Sequence, residues 1–256
     1  MRQLITMVVA WIVAAATAWT ADAAGLDGLR LAVLGDSMTW IGGDSCQNTN
    51  GWTHYVKQMA SPAQIDIYAR SGATWTNTSA TRGDTSFYSE ILADENVLYP
   101  QALRLMDASR SDRRHVPDVI LLYAGANDAW FVRQRPGIFD VSGTNPAPDS
   151  KPSDCTSLDA SVRLVCGLMK REFPEARIVL VTPVEMTKAP VWRVRLVSEV
   201  IARVGRDLGL TVIRPDLDVD IRSEQESITL TNTVDGVHTN PRGAELIARH
   251  VVSKLQ

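Results

Sequence analysis

The chain has 256 residues, of which 45% are apolar and 21% are charged, and its net charge is −3. This composition is typical of a globular protein and excludes a disordered or fibrous chain. Its positive charges are scattered and slightly outnumbered by negative ones, which excludes nucleic acid as the expected partner. The length suits one domain with a sizeable core.

The N-terminus is typical of a secretory signal peptide. Arg2 precedes an apolar segment over residues 4–19, and Ala21-Asp22-Ala23 gives the small-x-small pattern of a cleavage site. The apolar segment is short for a spanning helix, which needs about 20 residues. We therefore expect cleavage of residues 1–23, a periplasmic or secreted protein, and no stable membrane span afterwards. An uncleaved anchor is the alternative.

Short apolar runs then recur along the chain, and amphipathic helical patterns separate most of them. These patterns predict helices over residues 51–60, 97–108, 157–173, 193–209 and 241–255. Runs that are apolar on both faces favour buried parallel strands, with the helices as crossovers. The pattern predicts one three-layer α/β/α domain over residues 24–256, with a doubly wound parallel sheet of about five strands. The predicted strands are Leu31–Leu34, Ile65–Tyr68, Val119–Tyr123, Ile178–Val181 and Val212–Ile213.

The first strand leads directly into Gly35-Asp36-Ser37. In a doubly wound sheet, ligands bind beyond the carboxyl ends of the strands, so a serine hydroxyl here lies at the expected site. Its own backbone N–H is placed to face a developing oxyanion. A serine at a strand end more often caps a helix, however, so Ser37 alone is weak evidence for a nucleophile.

Two further strands end in residues suited to oxyanion binding. Gly72 follows the second strand and leaves its backbone N–H unhindered, although a plain turn glycine would look the same. Asn127, in GAND after the third strand, offers a side-chain amide donor. Asp128 is expected to cap the next helix or turn.

Three cysteines would enter an oxidising compartment on export, where disulfides become possible. Cys166 lies inside a predicted helix that starts near Thr156, so it would be ~16 Å along the helix axis from Cys155. A disulfide needs Cα atoms within roughly 7 Å. The sequence therefore favours a Cys46–Cys155 bridge, with Cys166 as a buried free thiol.

Near the C-terminus, TVDGVHTNPRG places Asp235 and His238 three residues apart, just before the last predicted helix. His238 is suited to act as a base towards a serine hydroxyl, with Asp235 orienting the ring. The alternative is structural, with Asp235 and Gly236 forming a turn and His238 capping the helix.

Taken together, these blocks resemble the SGNH (GDSL-type) hydrolase family over nearly the whole mature chain. GDSMT is similar to the first family block, GAND to the GxND block and DGVH to the closing DxxH block. Met38 stands where leucine is usual. The second block departs from the pattern, because YARSG lacks the asparagine that often precedes the glycine.

The resemblance implies a serine esterase on a flavodoxin-like fold. Ser37, His238 and Asp235 would form the triad, and Ser37, Gly72 and Asn127 the oxyanion hole. An acyl-enzyme on Ser37 would be hydrolysed by water, again with His238 as base. Neither a metal nor another cofactor is implied, and the sequence has no clustered metal-ligand spacing.

Three tryptophans suggest that the alcohol part of the ester, the leaving group, is a sugar. Trp40, Trp75 and Trp130 each follow a block's functional residue by three positions, and aromatic faces around a polar cleft stack on sugar rings. Packing within the core is the alternative for each ring. We therefore expect an esterase that removes small acyl groups, above all acetyl, from a small-molecule or polysaccharide ester. A lysophospholipase or thioesterase and a non-catalytic glycan-binding module are the rival hypotheses.

Overall fold

The computed structural model describes residues 25–85 and 93–256. The predicted signal peptide of residues 1–23 lies outside the described residues. Within the described part, no helix is both long and apolar enough to cross a membrane.

Five parallel strands form one sheet in the order β2-β1-β3-β4-β5. Neighbouring strands pair in parallel throughout, so every strand ends at the same edge. The strands are β1 (Arg30–Gly35), β2 (Gln64–Ile67), β3 (Val119–Tyr123), β4 (Arg177–Val181) and β5 (Thr211–Ile213). Both ends of each strand lie within one residue of the sequence prediction.

Nine α-helices occur in the described chain, and four of them are short segments that the apolar pattern did not predict. The five predicted helices are α2 (Trp52–Ala60), α3 (Leu98–Ser111), α5 (Leu158–Glu172), α6 (Val191–Asp207) and α9 (Pro241–Leu255). The four additional ones are α1 (Ser37–Trp40), α4 (Ala126–Trp130), α7 (Pro215–Asp218) and α8 (Ser223–Thr229).

Alternate residues of the strands supply two separate cores. Leu31 and Val33 face the layer of α2 and α9, whereas Ala32 and Leu34 face the layer of α3, α5 and α6. Because both faces of the sheet are covered, the strands read as continuous apolar runs rather than alternating ones. The predicted three-layer α/β/α fold is confirmed.

The predicted Cys46–Cys155 disulfide is wrong. Cys46, Cys155 and Cys166 are all free and buried. The carbonyl of Cys46 bonds the His54 ring on α2, whereas Cys155 packs in a small cluster against α5. The two thiols therefore belong to different parts of the packing, and burial raises the pKa of each.

Gly205 marks a close approach between α6 and the sheet. A Cβ placed there would lie 2.4 Å from Val212 Cγ2 and 3.0 Å from Leu180 Cδ1. Gly167 in α5 provides a matched comparison, since its Cβ would meet only the tip of the Arg171 side chain, at 3.4 Å.

We therefore expect opposite effects from the same substitution at these two helical sites. Gly205→Ala should lower the free energy of unfolding by about 1–3 kcal/mol, because overpacking forces α6 away from the sheet. Gly167→Ala should raise it by roughly 0.5–1 kcal/mol through helix propensity. Urea unfolding of both variants measures the difference, and equal effects would contradict the packing argument.

Candidate active site

Ser37 occupies the turn at the carboxyl end of β1. It is the first residue of the short helix α1, and the Asp36 side chain caps that helix by accepting a hydrogen bond from Met38 N–H at 3.0 Å. On the opposite side, Gln101 of α3 bonds both the N–H and the carbonyl of Gly35, at 2.8 and 2.9 Å. The backbone before and after Ser37 is thus held by buried side chains.

The loop before α9 brings the other two predicted triad residues to Ser37. His238 Nε2 lies 3.0 Å from Ser37 Oγ, and His238 Nδ1 lies 2.7 Å from Asp235 Oδ2. Asp235 Oδ1 also accepts the backbone N–H groups of Val237 and His238, at 2.9 and 2.8 Å. These local bonds fold the loop so that the carboxylate of Asp235 faces the ring of His238, three residues later in the chain.

The electrostatics of Asp235 select the imidazole tautomer. Burial by itself would raise the pKa of Asp235, but hydrogen bonds from the His238 ring and from two backbone N–H groups outweigh it, so the pKa is lower than usual. At neutral pH the carboxylate therefore accepts the Nδ1 proton of His238. This leaves the lone pair on Nε2 to accept the hydroxyl hydrogen of Ser37.

A buried carboxylate that the sequence did not reveal fixes this loop. Glu226 of α8 is fully buried and accepts hydrogen bonds from the backbone N–H groups of Asn232 and Thr233 and from both of their side chains. No apolar pattern predicted α8, so Glu226 had no recognisable place in the fold. Its effect is to hold the segment immediately before Asp235.

Gly72 and Asn127, the predicted oxyanion donors that follow β2 and β3 respectively, lie on neighbouring segments. Asn127 Nδ2 donates one hydrogen bond to the carbonyl of Ala73, at 2.9 Å, which leaves its second hydrogen available. Gly72 precedes Ala73 and has a φ of 81°, a conformation that favours glycine. The segment that leads from β2 to Gly72 is also bonded to the end of β1, because Arg70 N–H donates to the carbonyl of Gly35 at 3.1 Å.

Asp128 has a different role from the expected helix cap. Its carboxylate accepts the N–H groups of Trp75 and Thr76 and the Thr76 hydroxyl, at 2.9–3.0 Å, and it is fully buried. Asp128 therefore ties α4 to the segment after Gly72. Burial is the main reason that its pKa is higher than usual, and the hydrogen bonds oppose that increase.

The three predicted substrate-binding tryptophans differ in exposure. Trp75 is completely buried and donates its indole N–H to the carbonyl of Ala124, so the prediction that it contacts substrate is wrong. Trp40, at the end of α1, is 36% exposed. Trp130 is partly buried and stacks on Phe131, with ring centroids 5.0 Å apart. Trp40 and Trp130 therefore keep surface available at this edge.

Comparisons with known proteins identify the family. The family model of GDSL-like lipase/acylhydrolases matches residues 33–246. No curated protein matches the chain. Among solved structures, a Lactobacillus plantarum protein is 19% identical with a TM-score of 0.63, over 90% of this chain and 97% of that one.

Two other similar structures carry descriptions of activity. A Bacteroides ovatus protein described as a GDSL-like lipase is 15% identical with a TM-score of 0.56, over 87% of this chain and 95% of that one. An acetyl xylan esterase is 18% identical with a TM-score of 0.54, over 88% of this chain and 98% of that one. At these identities, the likeness is one of fold.

The buried Asp36 carboxyl, which precedes Ser37 in the chain, makes the stability of the folded protein depend on pH. Burial raises its pKa to about 7, the Met38 N–H opposes the shift, and the nearby Asp128 adds to it. Its Oδ2 atom is buried without a hydrogen-bond partner among the described residues. Because an unfolded aspartate has a pKa of about 3.9, the folded protein binds this proton more tightly than the unfolded chain does.

It follows that ionisation of Asp36 lowers the free energy of unfolding as the pH rises from about 4 to about 7. Asp36→Asn keeps an acceptor for Met38 N–H and removes the titration. Relative to this variant, the parent should lose stability with rising pH, by up to about 1.4 kcal/mol per pH unit. Urea unfolding at four pH values measures this, and parallel pH profiles would contradict it.

Proposed function

Because the chain belongs to the GDSL-like lipase/acylhydrolase family, we propose that it is an exported serine esterase that removes small acyl groups, above all acetyl, from a carbohydrate. One observation carries the proposal: the hydrogen-bonded series from Asp235 through His238 to Ser37 at the carboxyl edge of the sheet. A binding module has no need of this series, whereas an acyl-transfer enzyme does.

In the proposed reaction, Ser37 Oγ attacks the carbonyl carbon of the ester, and its proton passes to His238 Nε2. The oxyanion accepts hydrogen bonds from the N–H groups of Ser37 and Gly72 and from Asn127 Nδ2. His238 then gives its proton to the departing alkoxide, which leaves as the alcohol. Water, deprotonated by His238, attacks the acyl-serine. The bond between Ser37 Oγ and the acyl carbon then breaks, the carboxylic acid leaves, and His238 returns its proton to Ser37 Oγ.

Asp235 acts in this scheme as the orienting residue. Its lowered pKa keeps it ionised at neutral pH, so it stabilises the imidazolium that forms when His238 takes the serine proton. The residues that hold the loops, such as Glu226 and Asp128, are positioning residues. They keep donor and acceptor atoms where charge develops, without touching the reacting groups.

The carbohydrate preference rests on two observations. Trp40 and Trp130 retain surface near Ser37 and Asn127, and such faces suit sugar rings. One protein of the same fold is an acetyl xylan esterase. Other proteins of this fold are described as lipases, which makes a lysophospholipase or thioesterase the alternative. Export rests on the sequence of residues 1–23, and the mature domain would span residues 24–256.

Substitution of the nucleophile and of one oxyanion donor should give graded losses. Ser37→Ala should lower kcat by about 10⁶, because the acyl-enzyme can no longer form. Asn127→Ala should lower kcat by about 10²–10³ with little change in KM, since its donor acts on the transition state. Steady-state kinetics with p-nitrophenyl acetate measures both, with urea unfolding as the control for folding. An effect of Asn127→Ala on KM alone would remove it from the oxyanion hole.

The acyl group is tested by chain length. Rates on p-nitrophenyl acetate, butyrate and decanoate should fall as the chain lengthens, because an acetylesterase needs no long apolar channel. Acetate release from a panel of acetylated polysaccharides then identifies the sugar. A rate that rises with chain length would favour the lipid hydrolase, and glycan binding without any turnover would favour the binding module.

A further inference from the structure

A shallow groove of about 470 Å³ lies beside the loop that carries Asp235 and His238. The segment between β4 and α6 forms its floor and one wall, and α8 forms the other. Its volume is in the range of pockets that hold small organic ligands. The groove residues used in the argument are Thr187, Lys188, Val191, Ser223, Glu224 and Ser227.

The floor of the groove contacts the triad loop directly. Thr187 N–H donates to the carbonyl of Gly236 at 2.9 Å, and Gly236 lies between Asp235 and His238 in the sequence. A Cβ on Gly236 would lie 2.3 Å from Thr187 Oγ1, so only glycine permits this approach. The groove is therefore separated from the proposed general base by one layer of backbone.

A second contact joins the groove to the oxyanion side of the site. Arg193 follows Val191 in the first turn of α6, and its Nη1 donates to the carbonyl of Ala129 at 3.3 Å. Ala129 belongs to α4, the helix that carries Asn127. The groove itself thus contacts the triad loop through Thr187, while α6, which begins at the groove wall, contacts α4 through Arg193.

The walls are held in place before any ligand arrives. Glu185, which is buried beneath the groove, accepts hydrogen bonds from Arg195 of α6 at 3.2 Å and from Ser223 N–H of α8 at 3.1 Å. One carboxylate therefore joins the helices on either side. A preformed site of this kind binds without the cost of ordering its walls.

The lining combines apolar residues (Met186, Ala189, Pro190 and Val191) with polar ones, and such a mixed surface suits a sugar, which has both apolar faces and hydroxyl groups. Thr187, Ser223 and Ser227 contribute hydroxyl groups, and Lys188 and Glu224 contribute one charge of each sign. An alkyl chain packed against Lys188 and Glu224 would displace water from both charges and offer no hydrogen bond in its place, which disfavours a long acyl group. Sugar hydroxyls both donate and accept hydrogen bonds, so they can donate to Glu224 and accept from Lys188.

An exposed tryptophan stands next to the groove. Trp192 is adjacent to Val191 and is 63% exposed, which is unusual for so large an apolar side chain. The Arg193 guanidinium carbon lies 5.3 Å from the centre of its ring, and this cation–π contact favours the observed ring position. A ring held in this way suits stacking against the apolar face of a sugar.

We propose that this groove binds a sugar residue of the substrate adjacent to the acylated one, so that the enzyme acts on oligomeric rather than monomeric carbohydrate esters. This inference rests on the function proposed above. Ser37 receives the ester, and the neighbouring sugar lies against Thr187, Ser227 and Glu224.

A blocking substitution and its neighbour on the same helix form the test. Ser227→Trp fills the groove, whereas Ile228→Trp adds the same ring one position away, at a side chain that is 77% exposed and outside the groove lining. The substrates are O-acetylated xylo-oligosaccharides and p-nitrophenyl acetate. Ser227→Trp should lower the ratio of kcat/KM on the oligosaccharides to that on p-nitrophenyl acetate by about 10-fold, mainly through KM. Ile228→Trp should leave both rates unchanged.

Other outcomes overturn the inference in distinguishable ways. An unchanged ratio in Ser227→Trp, and in the milder Glu224→Ala if the first variant does not fold, would exclude the groove while leaving the proposed function intact. A parent that hydrolyses p-nitrophenyl acetate but releases no acetate from the oligosaccharides would refute the carbohydrate function as well. Selective loss of p-nitrophenyl decanoate hydrolysis in Ser227→Trp would assign the groove to an acyl chain instead.

Discussion

The proposed active site depends on a single long-range hydrogen bond, between Ser37 and His238, whose residues are 201 positions apart in the sequence. Parallel strand order makes this contact possible, because it sends every strand end to one edge of the sheet. β1 delivers Ser37 to that edge directly. His238 lies in the loop that precedes α9, and α9 packs against α2 on one face of the sheet.

Buried carboxylates and amides hold these loops through hydrogen bonds. Gln101 fixes the end of β1, Asp128 fixes the segment after Gly72, and Glu226 fixes the segment before Asp235. Each is almost fully buried and accepts hydrogen bonds from backbone N–H groups that would otherwise lack partners. An unsatisfied buried donor costs about 1–3 kcal/mol, so each loop has one strongly preferred conformation. Rigidity at this edge is the condition for electrostatic catalysis by fixed donors.

The sequence predicted the sheet and the five long helices well, because apolar runs and amphipathic periods are local signals. It also predicted that Ser37, Asp235 and His238 come together, since topology and motif order agree. It missed α1, α4, α7 and α8, each only four to seven residues long, which tertiary contacts rather than periodicity stabilise. Spacing in the sequence likewise could not reveal that Trp75 faces the core or that Cys46 and Cys155 lie against different helices.

The residues that position the triad differ from the residues that a substrate can contact. The side chains that position the triad bond to backbone of their own protein, and they are buried, so they contribute nothing that a substrate can contact. Lys188, Glu224 and Trp192 are exposed instead and lie on elements that lead away from the edge. Under the proposed function, exposed residues such as these, together with the accessible faces of Trp40 and Trp130, would select between an acetylated sugar and a longer acyl ester. Because Glu185 and the Thr187–Gly236 contact fix that surface relative to His238, changes in its exposed side chains can alter substrate preference without disturbing the catalytic geometry.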